Sequence, residues 1–393
     1  MTVRVQTVAV VGGAGRVGLP LSLALAETGL SVTVVDRDAP RLAALRGGAL
    51  PFHEEGAAEL LERLRASMRF EEAPAAVRTA DAVILTIGTP VDEHHCPDLR
   101  PIFAAVDALA PHLGDTAALV LRSTVAPGTS AKVLGRLRAL GCQTPLAYCP
   151  ERIAQGRALG ELASLPQIIS GFDARAVAVA RALFGRLAPA LVEASVGEAE
   201  LAKLFCNVWR YVKFAAANEL WQLATDAGLD FGRVRDVAMQ GYARMADFPQ
   251  AGFVAGPCLF KDAMQLAASV RHRLPVAHAA ALVHETMPDA VIAELARRMP
   301  IAGATVGLVG MAYKPDCDDR RESLAYKTRH LLEGEGARVL CADPYVSDAR
   351  LVPIERVLAE SQALVIGCPH AAYRGIRWAR GPVVDCWGSG IGG

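Results

Sequence analysis

The sequence predicts an α/β fold with two Rossmann-like, doubly wound domains joined by a central helical region that contains one long helix. Short apolar runs of strand type alternate with helical stretches near both ends of the chain, as expected for parallel sheets with crossover helices. A glycine-rich turn follows the first apolar run. Residues 198–226 contain good helix formers and no Gly or Pro. The predicted domains are 1–195 for the dinucleotide, 196–298 for the central helices and 299–393 for a second α/β unit.

The composition favours a folded globular protein over a nucleic-acid-binding, disulfide-rich or membrane-spanning one. Of the 393 residues, 52% are hydrophobic and 21% charged, and Lys+Arg equals Asp+Glu at 41 each. This balance gives no global signature of nucleic-acid binding. Nine scattered cysteines without a CxxC pair favour a reducing cytoplasm over a disulfide framework. No uninterrupted apolar run reaches the length of about 18 residues that a membrane span needs.

The first predicted element is a strand at residues 7–11, followed directly by a GxGxxG turn, a helical stretch and a second strand at 31–35. Glycines of this type let the backbone approach a pyrophosphate, and the helix N-terminus supplies amides to it. Asp36 after the second strand can accept from a ribose hydroxyl and would repel a 2′-phosphate, which favours NAD over NADP. The fingerprint residues are Gly13, Gly15, Arg16, Val17 and Gly18.

Hydroxyl side chains follow the next two predicted strands, 82–87 and 117–121. Thr89, Ser123 and Thr124 fall where the carboxyl ends of the strands would lie, which is the ligand edge of an open parallel sheet. The alternative is that these hydroxyls cap helices before Pro90 or Pro127. The two interpretations are compatible.

Two further groups of polar residues are candidates for chemistry. Glu151 follows a predicted strand near Pro145–Tyr148 and could be a site carboxylate, or simply a solvated loop charge. Lys203 and Asn207 lie four residues apart on the long helix and therefore share one face. That helix is apolar around much of its circumference, so these polar groups need partners, unless they form a solvated stripe on a dimer-forming helix.

The segment 256–262 (GPCLFKD) brings Cys258, Lys261 and Asp262 close together along the chain. A thiolate can attack a carbon, a nearby cation can stabilise the thiolate, and a carboxylate can direct a water molecule or a proton. A buried cysteine beside a turn is, however, more often inert packing. The segment alone therefore favours packing over catalysis.

The last part of the chain predicts a smaller α/β domain, with strands at 305–309, 338–341, 363–366 and 383–384 and a helix at 323–333. It lacks a full GxGxxG, so a second dinucleotide is not expected. Lys314, Arg320 and Arg321 at the first crossover could hold phosphates. We expect no metal site, because the adjacent His94, His95 and Cys96 lack a second ligand pair and because Asp318 and Asp319 lie beside arginines.

With these motifs in order, the chain resembles the nucleotide-sugar (UDP-sugar) 6-dehydrogenase family over nearly its whole length. The matching stretches are GAGRVGLP with Asp36, GTP at 88–90, STVAPGT at 123–129, CPERIAQG at 149–156, ELAKLFCN at 200–207, GPCLFKD at 256–262, and GMAYKP with DDRRES between 310 and 323. The resemblance implies NAD-dependent, four-electron oxidation of a hexose C6 alcohol to a carboxylate, with a thioester on the enzyme between the two steps.

The resemblance also implies roles for individual residues. Cys258 would be the nucleophile, and Lys203 and Asn207 would stabilise the developing oxyanion. Asp262 would assist the hydrolytic water, with Glu151 and Thr124 nearby as acid/base and water-positioning groups. The predicted substrate-binding residues are Glu151, Arg152, Lys203, Asn207, Lys261 and Lys314. The predicted cofactor-binding residues are the fingerprint residues with Asp36, Thr89, Ser123, Thr124 and Arg321.

The hexose is less well determined than the reaction. Pro-Glu-Arg at 150–152 resembles members that act on N-acetylated sugars, whereas Cys-x-x-Lys-Asp at 258–262 resembles UDP-glucose members. The prediction leans to a UDP-N-acetylhexosamine. The alternatives are UDP-glucose, a two-electron NAD-dependent dehydrogenase of the hydroxyacid type, and a non-catalytic NAD-binding regulator. A homodimer through the central helix is the expected assembly.

Overall fold

The computed structural model describes residues 3–114 and 117–392 of the chain. These residues form two compact units. The first comprises the described residues up to Cys206 together with Ala268–Arg271, and the second comprises Asn207–Ala267 and the described residues from His272 onwards. The predicted boundaries of three domains stay a prediction. In the part of the chain that the structure describes, no helix is both long and apolar enough to cross a membrane.

The first unit contains a sheet in which eight strands are formed by the described residues, in the order β3-β2-β1-β4-β5-β6-β7-β8. The pairings are parallel except that between β6 and β7. The strands are β1 (Thr7–Val11), β2 (Ser31–Val35), β3 (Arg69–Glu71), β4 (Ala82–Leu85), β5 (Ala118–Leu121), β6 (Leu146–Tyr148), β7 (Gln167–Gly171) and β8 (Leu191–Glu193). The helices are α1 (Gly18–Glu27), α2 (Ala39–Arg46), α3 (Ala57–Leu64), α4 (Arg100–Leu109), α5 (Thr129–Ala139), α6 (Ala158–Ser164) and α7 (Ala174–Phe184).

Side chains of this sheet alternate between two separate hydrophobic cores. In β1, Val8 and Val10 belong to one buried cluster, and Ala9 and Val11 belong to another. Successive residues of a strand point to opposite faces, so both faces of the sheet are covered. This explains why the predicted strands read as continuous apolar runs rather than as alternating ones.

The second unit contains a smaller parallel sheet with the strand order β10-β9-β11-β12 among the described residues. Its strands are β9 (Thr305–Val309), β10 (Arg338–Ala342), β11 (Ala363–Ile366) and β12 (Val383–Val384). The long helix α8 (Val196–Asp226) begins in the first unit and ends in the second. The other helices are α9 (Phe231–Met239), α10 (Leu259–Ser269), α11 (Pro275–Arg298), α12 (Leu324–Gly334) and α13 (Ile354–Glu360).

The predicted fold class is confirmed. In chain order, a mainly parallel sheet with its helices comes first, a helical region with one long helix follows, and a smaller parallel sheet comes last. Most predicted strands and helices lie within two residues of their observed ends. Strands β3, β7 and β8 were not predicted from the sequence. None of the three (RFE, QIISG and LVE) contains a run of four apolar residues or a sustained alternation that would predict a strand.

Candidate active site

The glycine turn after β1 has the close contacts that a dinucleotide cradle requires. A Cβ atom on Gly18 would lie 2.3 Å from the carbonyl oxygen of Gly12, and one on Gly13 would lie 2.5 Å from that of Val10. Only glycine therefore fits between the strand and the start of α1. At the start of α1, the Leu19 amide already donates to the Gly15 carbonyl at 2.9 Å and Pro20 has no N–H, so what this helix start offers to a phosphate is the positive end of the helix dipole.

Asp36 ties this turn to the end of β2. One carboxylate oxygen accepts from the Ala14 amide at 3.0 Å, and the other accepts from the Asp38 amide at 3.1 Å. The side chain stays partly exposed, and each oxygen keeps a second lone pair for a ribose hydroxyl. Together with the cradle, this arrangement fits the adenosine side of NAD.

The hydroxyl residues at the sheet edge connect neighbouring strand ends rather than capping helices. Thr89 Oγ1 donates to the Thr124 carbonyl at 2.6 Å, and Ser123 Oγ donates to the Leu85 carbonyl at 3.4 Å. Helix α4 begins only at Arg100, and Gly128 precedes α5, so the capping interpretation is wrong for these three residues. Thr124 itself is partly exposed.

Glu151 and Lys203 are brought together within the first unit. The Lys203 Nζ lies 3.6 Å from a Glu151 oxygen, and the two side chains are 5% and 14% exposed. A nearly buried ammonium paired with a nearly buried carboxylate is arranged for proton transfer or for stabilising charge on a substrate oxygen. The solvated-charge interpretation of Glu151 is therefore wrong.

The loop that carries Glu151 is held in place by a buried carboxylate, Glu54, that was not predicted from the sequence. Buried Glu54 accepts from the Gly156 amide at 2.8 Å and from the Ala158 amide at 2.5 Å. Arg152 is used locally, because its guanidinium donates to the Pro166 carbonyl. The position of Glu54, far away in sequence, gave no local signal of this role.

In the second unit, Cys258 directly precedes helix α10, and its carbonyl accepts from the Asp262 amide at 2.9 Å. The nine cysteines all lie in the described part of the chain, and among them Cys258 is the exposed one. By contrast, burial raises the pKa of Cys149 to about 12. A thiol at a helix N-terminus benefits from the amides and the dipole when it ionises, so the packing interpretation of Cys258 is wrong.

Asp262 lies one turn into the same helix and is the centre of a polar cluster. It is fully buried, accepts from the Asn207 side-chain amide at 2.5 Å, and lies 2.7 Å from the Lys261 ammonium. Asn207 on α8 is itself 7% exposed. The cluster provides a carboxylate whose position is fixed from two sides, one helical turn along the chain from the exposed thiol.

The crossover between β9 and α12 reaches the cysteine turn within the same unit. A Cβ on Gly256, where φ is +93°, would lie 2.2 Å from the Tyr313 ring. Arg321 forms a two-pronged pair with buried Asp319, at 2.9 and 2.6 Å. The Asp319 hydrogen bond raises the pKa of Arg321, and the nearby Cys258 thiol adds to that rise. The family resemblance implies a cofactor role for Arg321, and the structure places Arg321 near the Cys258 thiol in the second unit.

Lys314 lies in this crossover too, partly buried, and its carbonyl accepts from the Cys317 thiol at 3.3 Å. Burial raises the pKa of the Cys317 thiol above its ordinary value, and the positive charge of Lys314 partly offsets that rise. Tyr313 was not singled out from the sequence, and Asp319 was considered only as a metal ligand and discounted, although both lie inside the motifs GMAYKP and DDRRES. Membership in those motifs was the available signal.

Comparison with known proteins assigns both units to one enzyme family. Models of the UDP-glucose/GDP-mannose dehydrogenase family match the NAD-binding domain at residues 6–188, the central domain at 197–286 and the UDP-binding domain at 307–387. A UDP-N-acetyl-D-glucosamine 6-dehydrogenase from Pseudomonas aeruginosa is 30% identical over 388 residues, which covers 94% of this chain and 89% of that protein.

Two solved structures are similar over the whole fold. A UDP-glucose dehydrogenase from Pyrobaculum islandicum has a TM-score of 0.89 at 26% identity, covering 98% of this chain and 96% of that one. A UDP-D-ManNAc dehydrogenase from Pyrococcus horikoshii has a TM-score of 0.86 at 26% identity, covering 94% and 91%. The chain therefore belongs to the UDP-glucose/GDP-mannose dehydrogenase family and is an NAD-dependent nucleotide-sugar dehydrogenase.

Proposed function

We propose that this enzyme oxidises the C6 alcohol of a UDP-N-acetylhexosamine to the carboxylate in two successive NAD-dependent steps, through a thioester on Cys258. The observation that carries the proposal is the exposed thiol at the start of α10, one helical turn before the buried carboxylate of Asp262. A two-electron dehydrogenase of the hydroxyacid type has no use for this nucleophile.

The chemistry of the proposal balances without a further reagent. The first oxidation removes a hydride from C6 and a proton from its hydroxyl, leaving an aldehyde. The Cys258 thiolate adds to the aldehyde carbon and forms an S–C6 bond. Loss of a second hydride leaves a thioester, which water attacks, so that the S–C6 bond breaks, the thiolate and carboxylate separate, and the two protons of the water pass to solvent, the first by way of the Asp262 carboxylate. NAD, held by the glycine cradle and Asp36, supplies the hydride acceptor for each oxidation.

Residues of the first unit would serve the oxygen of the reacting carbon. The Lys203 ammonium can donate to that oxygen while it carries negative charge. Glu151, 3.6 Å from Lys203, can accept the alcohol proton directly or through the lysine. Thr124, at the sheet edge, would position the water, with Thr89, Ser123 and the fingerprint residues serving NAD.

Residues of the second unit would serve the sulfur and the hydrolytic water. Asp262 would orient the water, and Asn207 and Lys261 hold that carboxylate at 2.5 and 2.7 Å. Asn207 would also donate to the oxyanion. Lys314 and Arg321, on the crossover of the segment matched as a UDP-binding domain, would reach phosphates of the nucleotide sugar or of the cofactor, and Arg152 would contact the sugar.

The assignment of an N-acetylated hexose rests on similarity to relatives whose names specify UDP-N-acetyl-D-glucosamine and UDP-D-ManNAc. The test is the NADH yield per sugar with UDP-GlcNAc, UDP-ManNAc and UDP-glucose. We expect two NADH per N-acetylated sugar. Two NADH with UDP-glucose alone would contradict the substrate assignment, and one NADH with a carbonyl product would contradict the thioester mechanism.

We also propose that the enzyme is a homodimer through α8. Leu201, Phe205 and Trp209 recur every four residues on this helix and are 36%, 55% and 59% exposed, so they form an apolar stripe on one face. A second copy of the helix is the self-complementary partner that a two-fold axis supplies. Light scattering should give twice the chain mass, and Trp209→Glu should shift the mass to that of one chain; a wild-type monomer would contradict the proposal.

A further inference from the structure

The buried carboxamide of Asn218 on α8 holds the segment that leads to Cys258. Asn218 is fully buried. Its Oδ1 accepts from the Gly252 amide at 2.9 Å, and its Nδ2 donates to the Gly252 carbonyl at 3.0 Å. The side chain thus binds both backbone groups of one residue, as a neighbouring strand would do. Gly252 lies six positions before the thiol.

His284 on α11 fixes the orientation of that carboxamide. Its Nε2 lies 2.9 Å from the Tyr211 carbonyl. A carbonyl oxygen can only accept, so Nε2 carries the hydrogen and the unprotonated Nδ1 is left as an acceptor. Nδ1 lies 3.2 Å from Asn218 Nδ2 and takes its second hydrogen. Burial lowers the pKa of His284 to about 4, so the ring is neutral near pH 7 and the amide has one favourable orientation.

Aromatic rings close the other side of the same segment. A Cβ on Gly252 would lie 2.5 Å from the Trp387 ring, whose Nε1 donates to the Gly367 carbonyl at 3.2 Å. Four residues later, Gly256 lies against Tyr313 in the same way. Ala251 and Phe253 are also buried, at 1% and 2% exposure. The backbone before Cys258 is therefore held by hydrogen bonds on one side and by rings on the other.

We propose that Asn218, oriented by His284, is a positioning residue for Cys258: it fixes Gly252 and thereby holds the sulfur at the N-terminus of α10. The catalytic consequence rests on the proposed thioester function, whereas the positioning itself does not. An apolar residue at 218 would fill the space but leave the N–H and C=O of Gly252 without these partners, so the segment would move.

The test compares Asn218→Leu with the exposed neighbour substitution Glu219→Gln on the same helix. Alkylation of Cys258 by iodoacetamide at neutral pH is followed on its peptide by mass spectrometry, alongside kcat with the UDP-sugar and calorimetric binding of NAD. For Asn218→Leu we expect kcat and the Cys258 alkylation rate to fall about tenfold or more, since small misplacements of a reacting group have effects of that order. NAD affinity should not change, and Glu219→Gln should behave as the wild type.

A folded Asn218→Leu protein with wild-type kcat and a wild-type alkylation rate would overturn the proposal. A loss of NAD affinity as large as the loss of kcat would overturn it too. Should Asn218→Leu fail to fold, His284→Leu carries the same test, because it removes the acceptor of the second amide hydrogen and the donor to the Tyr211 carbonyl but leaves both Asn218–Gly252 bonds, and it should slow both reactions by a smaller factor. If the wild type oxidises no UDP-sugar, the proposed function fails, but the alkylation rates still decide whether Asn218 positions the thiol.

Discussion

The two parallel sheets begin in the same way and then use their first crossover differently. In each, a glycine after the first strand donates its amide to the last residue of the neighbouring strand: Gly12 to Val35 at 2.9 Å, and Gly310 to Ala342 at 2.8 Å. In each, an aspartate follows that neighbouring strand, Asp36 in one and Asp343 in the other.

The two aspartates differ in how much hydrogen-bonding capacity each carboxylate keeps for a ligand. Asp36 is partly exposed, whereas the side chain of Asp343 is fully buried and accepts from His370 at 2.9 Å. Its other donors are the amides of Met311, Ala312, Tyr345 and Val346, at 2.6 to 3.0 Å. A carboxylate occupied in this way has no capacity left for a ribose hydroxyl; that the second unit binds no dinucleotide stays a prediction.

The crossovers differ in length as well. Residues 12–17 connect β1 to α1, and residues 310–323 connect β9 to α12. The short connection leaves the helix N-terminus against the strand end, where a pyrophosphate can bind. The long connection carries Tyr313, Asp319 and Arg321 to the cysteine turn. One starting geometry therefore leads to a cofactor cradle in the first unit and to a crossover that packs against the Cys258 turn in the second.

The largest effect is expected at the short crossover. Gly18→Val would place a Cβ 2.3 Å from the Gly12 carbonyl oxygen, so the cradle must open and NAD affinity should fall by about two orders of magnitude or more. Isothermal titration calorimetry measures this loss. Gly135→Ala is the control substitution, because residue 135 is an exposed position of α5 where a Cβ meets nothing within 4 Å. This variant should bind NAD normally.

The paired aspartates should separate stability from binding. Asp343→Asn removes the charge from a buried, fully bonded carboxylate and should lower the free energy of unfolding by about 3 kcal/mol. Asp36→Asn should leave unfolding within about 0.5 kcal/mol of the wild type while weakening NAD binding. Urea denaturation and NAD titration of both variants make the comparison. Equal destabilisation by the two substitutions would show that the two positions are not used differently.

The stability that Asp343 provides should depend on pH. Burial alone would raise the pKa of Asp343. The hydrogen bonds that it accepts from His370 and from the amides of Val346 and Tyr345 together outweigh burial and lower this pKa below its ordinary value. The unfolded chain therefore takes up the proton first, and this stabilisation is lost as the pH falls below about 4. The stability gap between wild type and Asp343→Asn should narrow from pH 6 to pH 3; a constant gap would contradict the assignment.

A smaller effect is expected from Arg321 on the long crossover. Arg321→Ala removes a guanidinium close to Cys258 and should slow iodoacetamide alkylation of that cysteine about threefold to tenfold, as loss of one nearby charge does. Arg320→Ala, whose partner is Asp348, is the control on the adjacent residue. Equal rates for the two variants would remove Arg321 from the thiol site.

Sequence reading found the elements whose signal is local. The apolar runs, the GxGxxG turn with Asp36 and the long helix α8 were predicted because each has its own periodicity or spacing. Cys258 and Asp262 were found because they lie in one short segment. Asn218, Glu54, Asp343 and His370 were not singled out, since their roles come from hydrogen bonds to backbone groups far away in sequence, which no local pattern records.

The central claim is that the carbon being oxidised becomes covalently bound to Cys258. The direct measurement is mass spectrometry of the Cys258 peptide after rapid acid quenching of Asp262→Asn enzyme with NAD and the UDP-sugar, since this variant should slow hydrolysis of the thioester. We expect a Cys258 peptide that is heavier by the sugar-nucleotide acyl group, and we expect this adduct to be absent without NAD and absent in Cys258→Ser. An unmodified Cys258 peptide throughout a reaction that releases two NADH per sugar would contradict it.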